Sequence, residues 1–312
     1  FYAISVDKLL ALEEWVPHQT LLARGDLVDL SDEEEVSVAF ISHEWTGFGH
    51  PDPSGAQLRH LQRVVRRLRN GELGVSNNAI LEMLYNFQNT ITAQEWQEKL
   101  GGAFFLWIDY LSIPQPAAES PAAPAPDNPR QLARQSHSDH RLVEAATPRI
   151  AELTNSLKLA VDSIPSYITS CKEMWVLTPP VQHCDKGDCC CDFNSWRTRG
   201  WCRMEFAASK LACGEDKPVM LIGSPLAEND EGLEFFQPCD IVKLATSQGM
   251  FTQEADRVKT SATIATMLNA KLDAYQASGN YTLMRLLLVF APVFLPKADF
   301  AEANALKKGK VP

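Results

Sequence analysis

Trp201 and Glu205 stand four residues apart in Arg199-Gly200-Trp201-Cys202-Arg203-Met204-Glu205, at the head of an apolar run from Phe206 to Cys213. On a helix, residues i and i+4 share a face, so an indole ring and a carboxylate would look into one cleft. That pairing suits a flat cationic or sugar-bearing ligand. The same spacing arises on any half-buried helix, so its meaning depends on what is brought beside it. Two further polar clusters have suitable chemistry. Ser42-His43-Glu44-Trp45 follows the apolar run Val36 to Ile41, and Asp109-Tyr110-Leu111-Ser112-Ile113-Pro114-Gln115 closes the run Ala103 to Asp109. Each also has a plainer reading: Ser42 as a turn cap, His43 as a satisfied core histidine, Asp109 as the acceptor of an Asx turn. Arg199 suits either a loop carboxylate or a phosphate, because its guanidinium is planar and always charged.

Positioning these clusters requires a parallel sheet. Short apolar runs alternate with helix-period segments, the pattern of an α/β fold. Strands are expected at Val36 to Ile41, Ala103 to Asp109, Met174 to Leu177 and Pro218 to Ile222, with a short fifth at Asp240 to Leu244. Helices are expected at Gln57 to Arg69, Asn77 to Phe87, Leu142 to Cys171 with a break at Ser163-Ile164-Pro165, the Trp201 segment, Thr252 to Tyr275 with Thr252 as N-cap, and Tyr281 to Leu295. In an open parallel sheet, ligands sit beyond the carboxyl ends of the strands. All three polar clusters fall at such ends.

The expected architecture is therefore α/β, a doubly wound, flavodoxin-like parallel sheet of four to five strands with added N- and C-terminal helices. Residues 1–35 form an N-terminal helical segment covering a face or edge of the sheet, with helix-like spacing at Leu9, Leu10, Leu12 and Trp15. Residues 36–250 form the α/β domain, carrying an Ala/Pro-rich loop at 116–130 and a Cys-rich loop at 181–195. Residues 251–312 form a C-terminal helical extension.

Composition narrows the partners. The 312-residue chain has a net charge of -10, which argues against duplex nucleic acid or an anionic membrane as the main partner. The basic run Arg63, Arg66, Arg67 and Arg69 alternates with leucine and valine and reads as the solvated face of an amphipathic helix. The apolar stretch Leu286 to Leu295 is too short to span a bilayer and contains Pro292. Phe1 in place of a start methionine reads as the interior of a longer or processed product, with no signal peptide expected. Eight cysteines, three of them consecutive at Cys189 to Cys191, make a poor disulfide framework and point to a reducing, intracellular compartment such as the cytoplasm. The Cys184 to Cys191 segment lacks paired C-x-x-C spacing, so no metal is assigned.

The blocks Phe40 to Gly47, Trp107 to Gln115 and Arg199 to Glu205 resemble, in this order, the three signature blocks of fungal heterokaryon-incompatibility (HET) domains, relatives of the Toll/interleukin-1 receptor (TIR) domains. Trp201-Cys202-x-x-Glu205 also resembles the start of the helix that carries the catalytic glutamate of NAD-hydrolysing TIR domains. The resemblance covers roughly Val36 to Gly223. The long proline-rich loop after Gln115, the cysteine-rich insertion and His43-Glu44 depart from the family pattern.

The resemblance implies a signalling or defence domain that cleaves the nicotinamide-ribose bond of NAD, with Glu205 as the catalytic carboxylate. Ser42, His43, Trp45, Asp109, Ser112 and Trp201 would line the pocket. NAD or a related nucleotide is then the substrate, and no resident cofactor is implied. The resemblance equally implies an inactive module that works by self-association or by binding other proteins, while the acidic chain, the Ala/Pro loop and the C-terminal helices leave open a structural subunit of a larger assembly. A fourth reading, a cysteine enzyme built on Cys202, follows from its place near a helix start.

Overall fold

The computed structural model describes residues 1–33, 36–77, 89–118, 148–214, 217–227, 229–236 and 245–296. Its strands are β1 (Tyr2–Ser5), β2 (Leu27–Asp29), β3 (Ser37–His43), β4 (Val75–Ser76), β5 (Thr90–Ile91), β6 (Phe104–Ile108), β7 (Glu173–Leu177), β8 (Val181–Gln182), β9 (Cys190–Cys191), β10 (Val219–Ile222) and β11 (Leu233–Phe235). Seven of them form one mixed sheet in the order β11-β10-β7-β3-β6-β1-β2. The central four, β6, β3, β7 and β10, are parallel, whereas β11 and the β1-β2 pair run antiparallel at the two ends. The remaining strands form two short antiparallel pairs, β4-β5 and β8-β9.

The central strands are near-continuous apolar runs because both of their faces are covered. Along β3, Val38 and Phe40 join one core with Trp107, Met174, Phe206 and Leu268. Ala39 and Ile41 join the other, with Leu58, Leu61, Trp96 and Trp175. The helices Ile164–Ser170, Gly200–Leu211 and Ala255–Ala277 contribute to the first core. The helices Ala56–Arg69 and Ala93–Gly101 contribute to the second. In chain order the parallel strands run second, first, third, fourth, so connections diverge at the β3/β7 boundary, where open α/β sheets place their ligands.

Several expectations need correction. The sheet is mixed and has seven strands, more than the four to five expected. The N-terminal segment is not simply helical: β1 and β2 extend the sheet edge on either side of the helices Val6–Ala11 and His18–Arg24. These strands have four and three residues, too short to leave a periodic trace. The strand beside β10 is β11, while the expected fifth strand at Asp240 to Leu244 lies outside the described residues. Most of the expected helix Asn77 to Phe87 and of the Ala/Pro-rich loop also lies outside them, although Pro116–Ala118 forms a single 3-10 turn. The helix expected to begin at Thr252 begins at Ala255, with Glu254 at its cap and no side-chain cap bond.

Other features match. The break in the 148–170 region falls at Ser163, with Pro165 in the first turn of the next helix, where its missing N–H costs nothing. The arginine run is a solvated face neutralised by carboxylates: Arg63 and Arg67 both bond Glu231 at 2.8 Å, and Arg69 bonds Asp7 at 2.5 Å. Among the described residues, no helix is long and apolar enough to cross a membrane.

Candidate functional site

Side chains alternate faces along a strand, so Ser42 and His43 at the end of β3 must leave on opposite sides. Ser42 meets the Gly200–Leu211 helix, and His43 meets the Ala56–Arg69 helix. The Ser42 hydroxyl accepts from Trp196 Nε1 at 3.0 Å and donates to Glu205 Oε2 at 2.5 Å. Because the indole N–H can only donate, the serine proton is committed to Glu205. Oε2 is thus the held oxygen. Among the described residues Oε1 has no such partner, and the Glu205 side chain is partly open to solvent.

Gly200 sets the start of this helix. A Cβ there would come within 2.0 Å of the Phe251 ring, and the Gly200 N–H donates to Met250 O at 2.9 Å. Only glycine lets the 246–251 segment pack so closely against the first turn. That packing fixes the first turn of the helix that carries Glu205 five residues on.

On the other side of β3, His43 Nε2 lies 3.0 Å from Asp109 Oδ1 and Nδ1 lies 2.9 Å from Gln57 Oε1. Asp109 also accepts from Trp45 Nε1 at 3.0 Å and from the Tyr110 N–H at 2.6 Å. The Trp15 ring stacks on His43 at 5.5 Å with an interplanar angle of 2°. Glu44 turns away from both, accepting from Ser195 Oγ at 2.5 Å with Arg199 Nε 3.8 Å distant.

The electrostatics separate the carboxyl groups. Burial pushes the Glu205 carboxyl up to about 8, helped by the nearby Asp109 charge and opposed by the Ser42 hydrogen bond and by His43. Asp109 is also penalised by burial, but the charge and hydrogen bond of His43, with Trp45 and Tyr110, hold it below the usual carboxylate range. Burial works against a charged His43 as well, and Asp109 and Gln57 outweigh it, so the ring stays basic. The shifts favour the charged forms of His43 and Asp109 and the neutral form of Glu205 beside them. An acid so placed holds a proton that a nearby cation would displace.

Of the residues singled out in the sequence, Ser42 and Glu205 are in direct contact, and His43, Trp45 and Asp109 form one connected network beside them. Ser112 is turned inward, its hydroxyl accepting from the Ile108 N–H at 3.2 Å. Trp201 points to the C-terminal helix, where its Nε1 donates to Asp256 at 3.0 Å, so Glu205 and Trp201 have separate partners. Cys202 is buried, its thiol directed at His43 O at 3.9 Å, and burial pushes it well up, which opposes a thiolate. Trp196, Gln57 and Trp15 were not foreseen. Their sequence contexts are ordinary apolar helix and loop, and only the fold reveals that Trp196 bonds Ser42, Gln57 bonds His43 and Trp15 stacks on the His43 ring.

The β8-β9 hairpin packs against the strand-end loop: the Cys184 N–H donates to Thr46 O at 2.7 Å and the Phe48 N–H to Asp185 at 2.7 Å. Burial raises the Cys191 thiol to about 12. Among the described residues, no group of three or more histidine, cysteine or acidic side chains is arranged to hold a metal ion. No family model matches the chain, and no curated protein or solved structure matches it.

Proposed function

We propose that the chain is a TIR/HET-like hydrolase of the nicotinamide-ribose bond of NAD, with Glu205 as the reacting carboxylate. The observation that carries this reading is the asymmetry of Glu205: one oxygen is held through Ser42 by Trp196, and the other has no hydrogen-bond partner among the described residues, next to the carboxyl end of β3. The second, first, third, fourth order of the parallel strands also fits the flavodoxin-like arrangement expected of such a domain.

In the reaction the carbon-nitrogen bond breaks with its electron pair passing to the ring nitrogen, so nicotinamide leaves neutral and needs no strong acid. Water supplies the hydroxyl that ends on the ribose carbon, and its second proton passes to solvent. The barrier lies in the positive charge that grows on the sugar. A desolvated carboxyl short of a cation responds most to such charge, because binding the pyridinium both displaces its proton and leaves a poorly solvated anion facing the ribose. Trp45, half-buried and bonded to Asp109, supplies an aromatic wall.

The test is nicotinamide release from NAD by the wild type and by Glu205→Gln. Release that Glu205→Gln abolishes is the expected result; no release by concentrated or clustered wild-type protein sinks the enzyme reading.

A second reading, an interaction module without turnover, is supported by the C-terminal helix Tyr281–Phe294. It leaves Leu286, Leu288, Val289 and Phe290 each at least half exposed, and clustered exposed apolar side chains are a feature of interaction surfaces.

A further inference from the structure

Gln57 lies one residue into the Ala56–Arg69 helix and is almost fully buried. Its Nε2 donates to Glu44 O at 2.9 Å. A carbonyl oxygen accepts only from a donor, so this contact fixes which end of the amide faces which neighbour. Oε1 must then be the atom 2.9 Å from His43 Nδ1, and Nδ1 must carry a proton to meet it. The other ring nitrogen, Nε2, faces Asp109 Oδ1 at 3.0 Å, a carboxylate oxygen that already accepts from the Tyr110 N–H. A neutral imidazole has a single N–H and would leave one of these two contacts as lone pair against lone pair.

We infer that Gln57 is a positioning residue: anchored on the Glu44 carbonyl, its amide holds His43 as a doubly protonated imidazolium between two acceptors, and so fixes the charge beside Glu205. The groups facing His43 agree with this. Asp109 lies at the end of β6, Glu205 approaches from the Gly200–Leu211 helix, and the Trp15 ring lies flat over the imidazole with its own N–H turned away to Asp52 at 3.0 Å. A cation under an aromatic face is stabilised by the ring's negative surface. Glu44 faces away, onto Ser195 and Arg199. With His43 and Asp109 both fixed as ions, Glu205 is the one group of this network left to titrate near neutral pH.

The charge state of His43 stands apart from turnover; only its consequence for rate rests on Glu205 being the reacting carboxylate. The primary experiment is two-dimensional NMR of ring nitrogens in nitrogen-15-histidine-labelled full chain, with the His43 signals assigned by their loss in His43→Gln. The expected result is two protonated nitrogens across pH 6 to 8, an inference from the geometry that needs no other variant. A His43 that titrates near the ordinary value of about 6.5 overturns the proposal. Gln57→Leu should lower the His43 midpoint by about one unit, and Gln57→Glu should raise it above the wild type. A midpoint unmoved by Gln57→Leu in folded protein overturns the role of Gln57. Where NAD turnover is measurable, Gln57→Leu should shift the pH limb of kcat upward, since Glu205 loses a neighbouring cation, with little change in KM. An absent turnover with a doubly protonated His43 counts against the enzyme reading alone.

Discussion

At the amino end of the sheet, the lysines drawn inward are answered by protein atoms. Lys217 Nζ donates to Thr169 O at 2.8 Å and to Cys171 O, Lys271 Nζ donates to Lys210 O and Ala212 O at 2.7 and 3.0 Å, and Lys99 pairs with the buried Glu173 at 2.7 Å. At the carboxyl end, Asp109 and His43 are answered in the same way, but Glu205 receives one serine hydroxyl and is left with a raised ionisation. Both ends bury charge, and at the carboxyl end Glu205 keeps an ionisation raised to about 8. Burial of an ionisable side chain is therefore weaker evidence for a site than burial with incomplete pairing.

The largest effect should follow from removing the one unanswered carboxyl. Glu205→Gln keeps the shape and the bond from Ser42, and should lower nicotinamide release by about 100-fold or more in a continuous assay. It should also change the pH dependence of stability. The Glu205 carboxyl ionises at about 8 in the folded protein against 4.5 ordinarily. Between those values the folded chain holds a proton that the unfolded chain has lost, so stability falls as pH rises from 4.5 to about 8 and levels off beyond. Thermal melts of Glu205→Gln should lack that decline and should lie above the wild type at pH 8. A wild-type melting curve with no decline over this window would place Glu205 among the fully paired groups.

The converse substitution tests the opposite end. Lys217→Met strands the carbonyls of Thr169 and Cys171 inside the protein, and should cost about 1–3 kcal/mol in denaturant unfolding. Nicotinamide release at a temperature where the variant remains folded should not change. A parallel loss of activity would mean that the amino end supports the site as well as the fold.

A smaller effect is expected at Trp196. Its N–H commits the Ser42 proton to Glu205, so Trp196→Phe frees the hydroxyl to turn while keeping the ring among Phe193 and Phe236. The loss is one neutral hydrogen bond, about 1 kcal/mol, or roughly fivefold in kcat. An upward move in the pH limb of kcat should accompany it, because the serine bond favours the ionised carboxyl.

The parallel core was legible because β3, β6, β7 and β10 are apolar runs bounded by turn residues, and such runs announce themselves whatever packs on them. Strands β1, β2 and β11 were not, since three or four residues at a sheet edge carry no period and take their conformation from the partner strand. The site divides along a similar line. Ser42, His43, Trp45, Asp109 and Glu205 were readable as polar residues at strand ends or a helix start. The sequence could not show that the Trp201 N–H bonds Asp256, because that partner lies on the C-terminal helix 55 residues away. Gln57 and Trp196 were invisible because their roles depend on which carbonyl or hydroxyl the chain brings to them from 13 and 154 residues away.

The smallest effect belongs to the charges that neither end buries. Arg69 and Asp7 lie 2.5 Å apart with side chains 38% and 77% exposed. Water and salt screen such a pair, and two flexible side chains lose freedom to form it, so Arg69→Ala should change unfolding free energy by about 0–1 kcal/mol. The difference should shrink further in 1 M salt, where the screening length is about 3 Å. Arg63 offers the informative contrast: its partner Glu231 is only 6% exposed and is shared with Arg67. Arg63→Ala should therefore cost more than Arg69→Ala and keep more of that cost in high salt. If the two variants behave alike, burial of the carboxylate partner is not what grades these contacts, and the contrast drawn between the two ends of the sheet loses its physical basis.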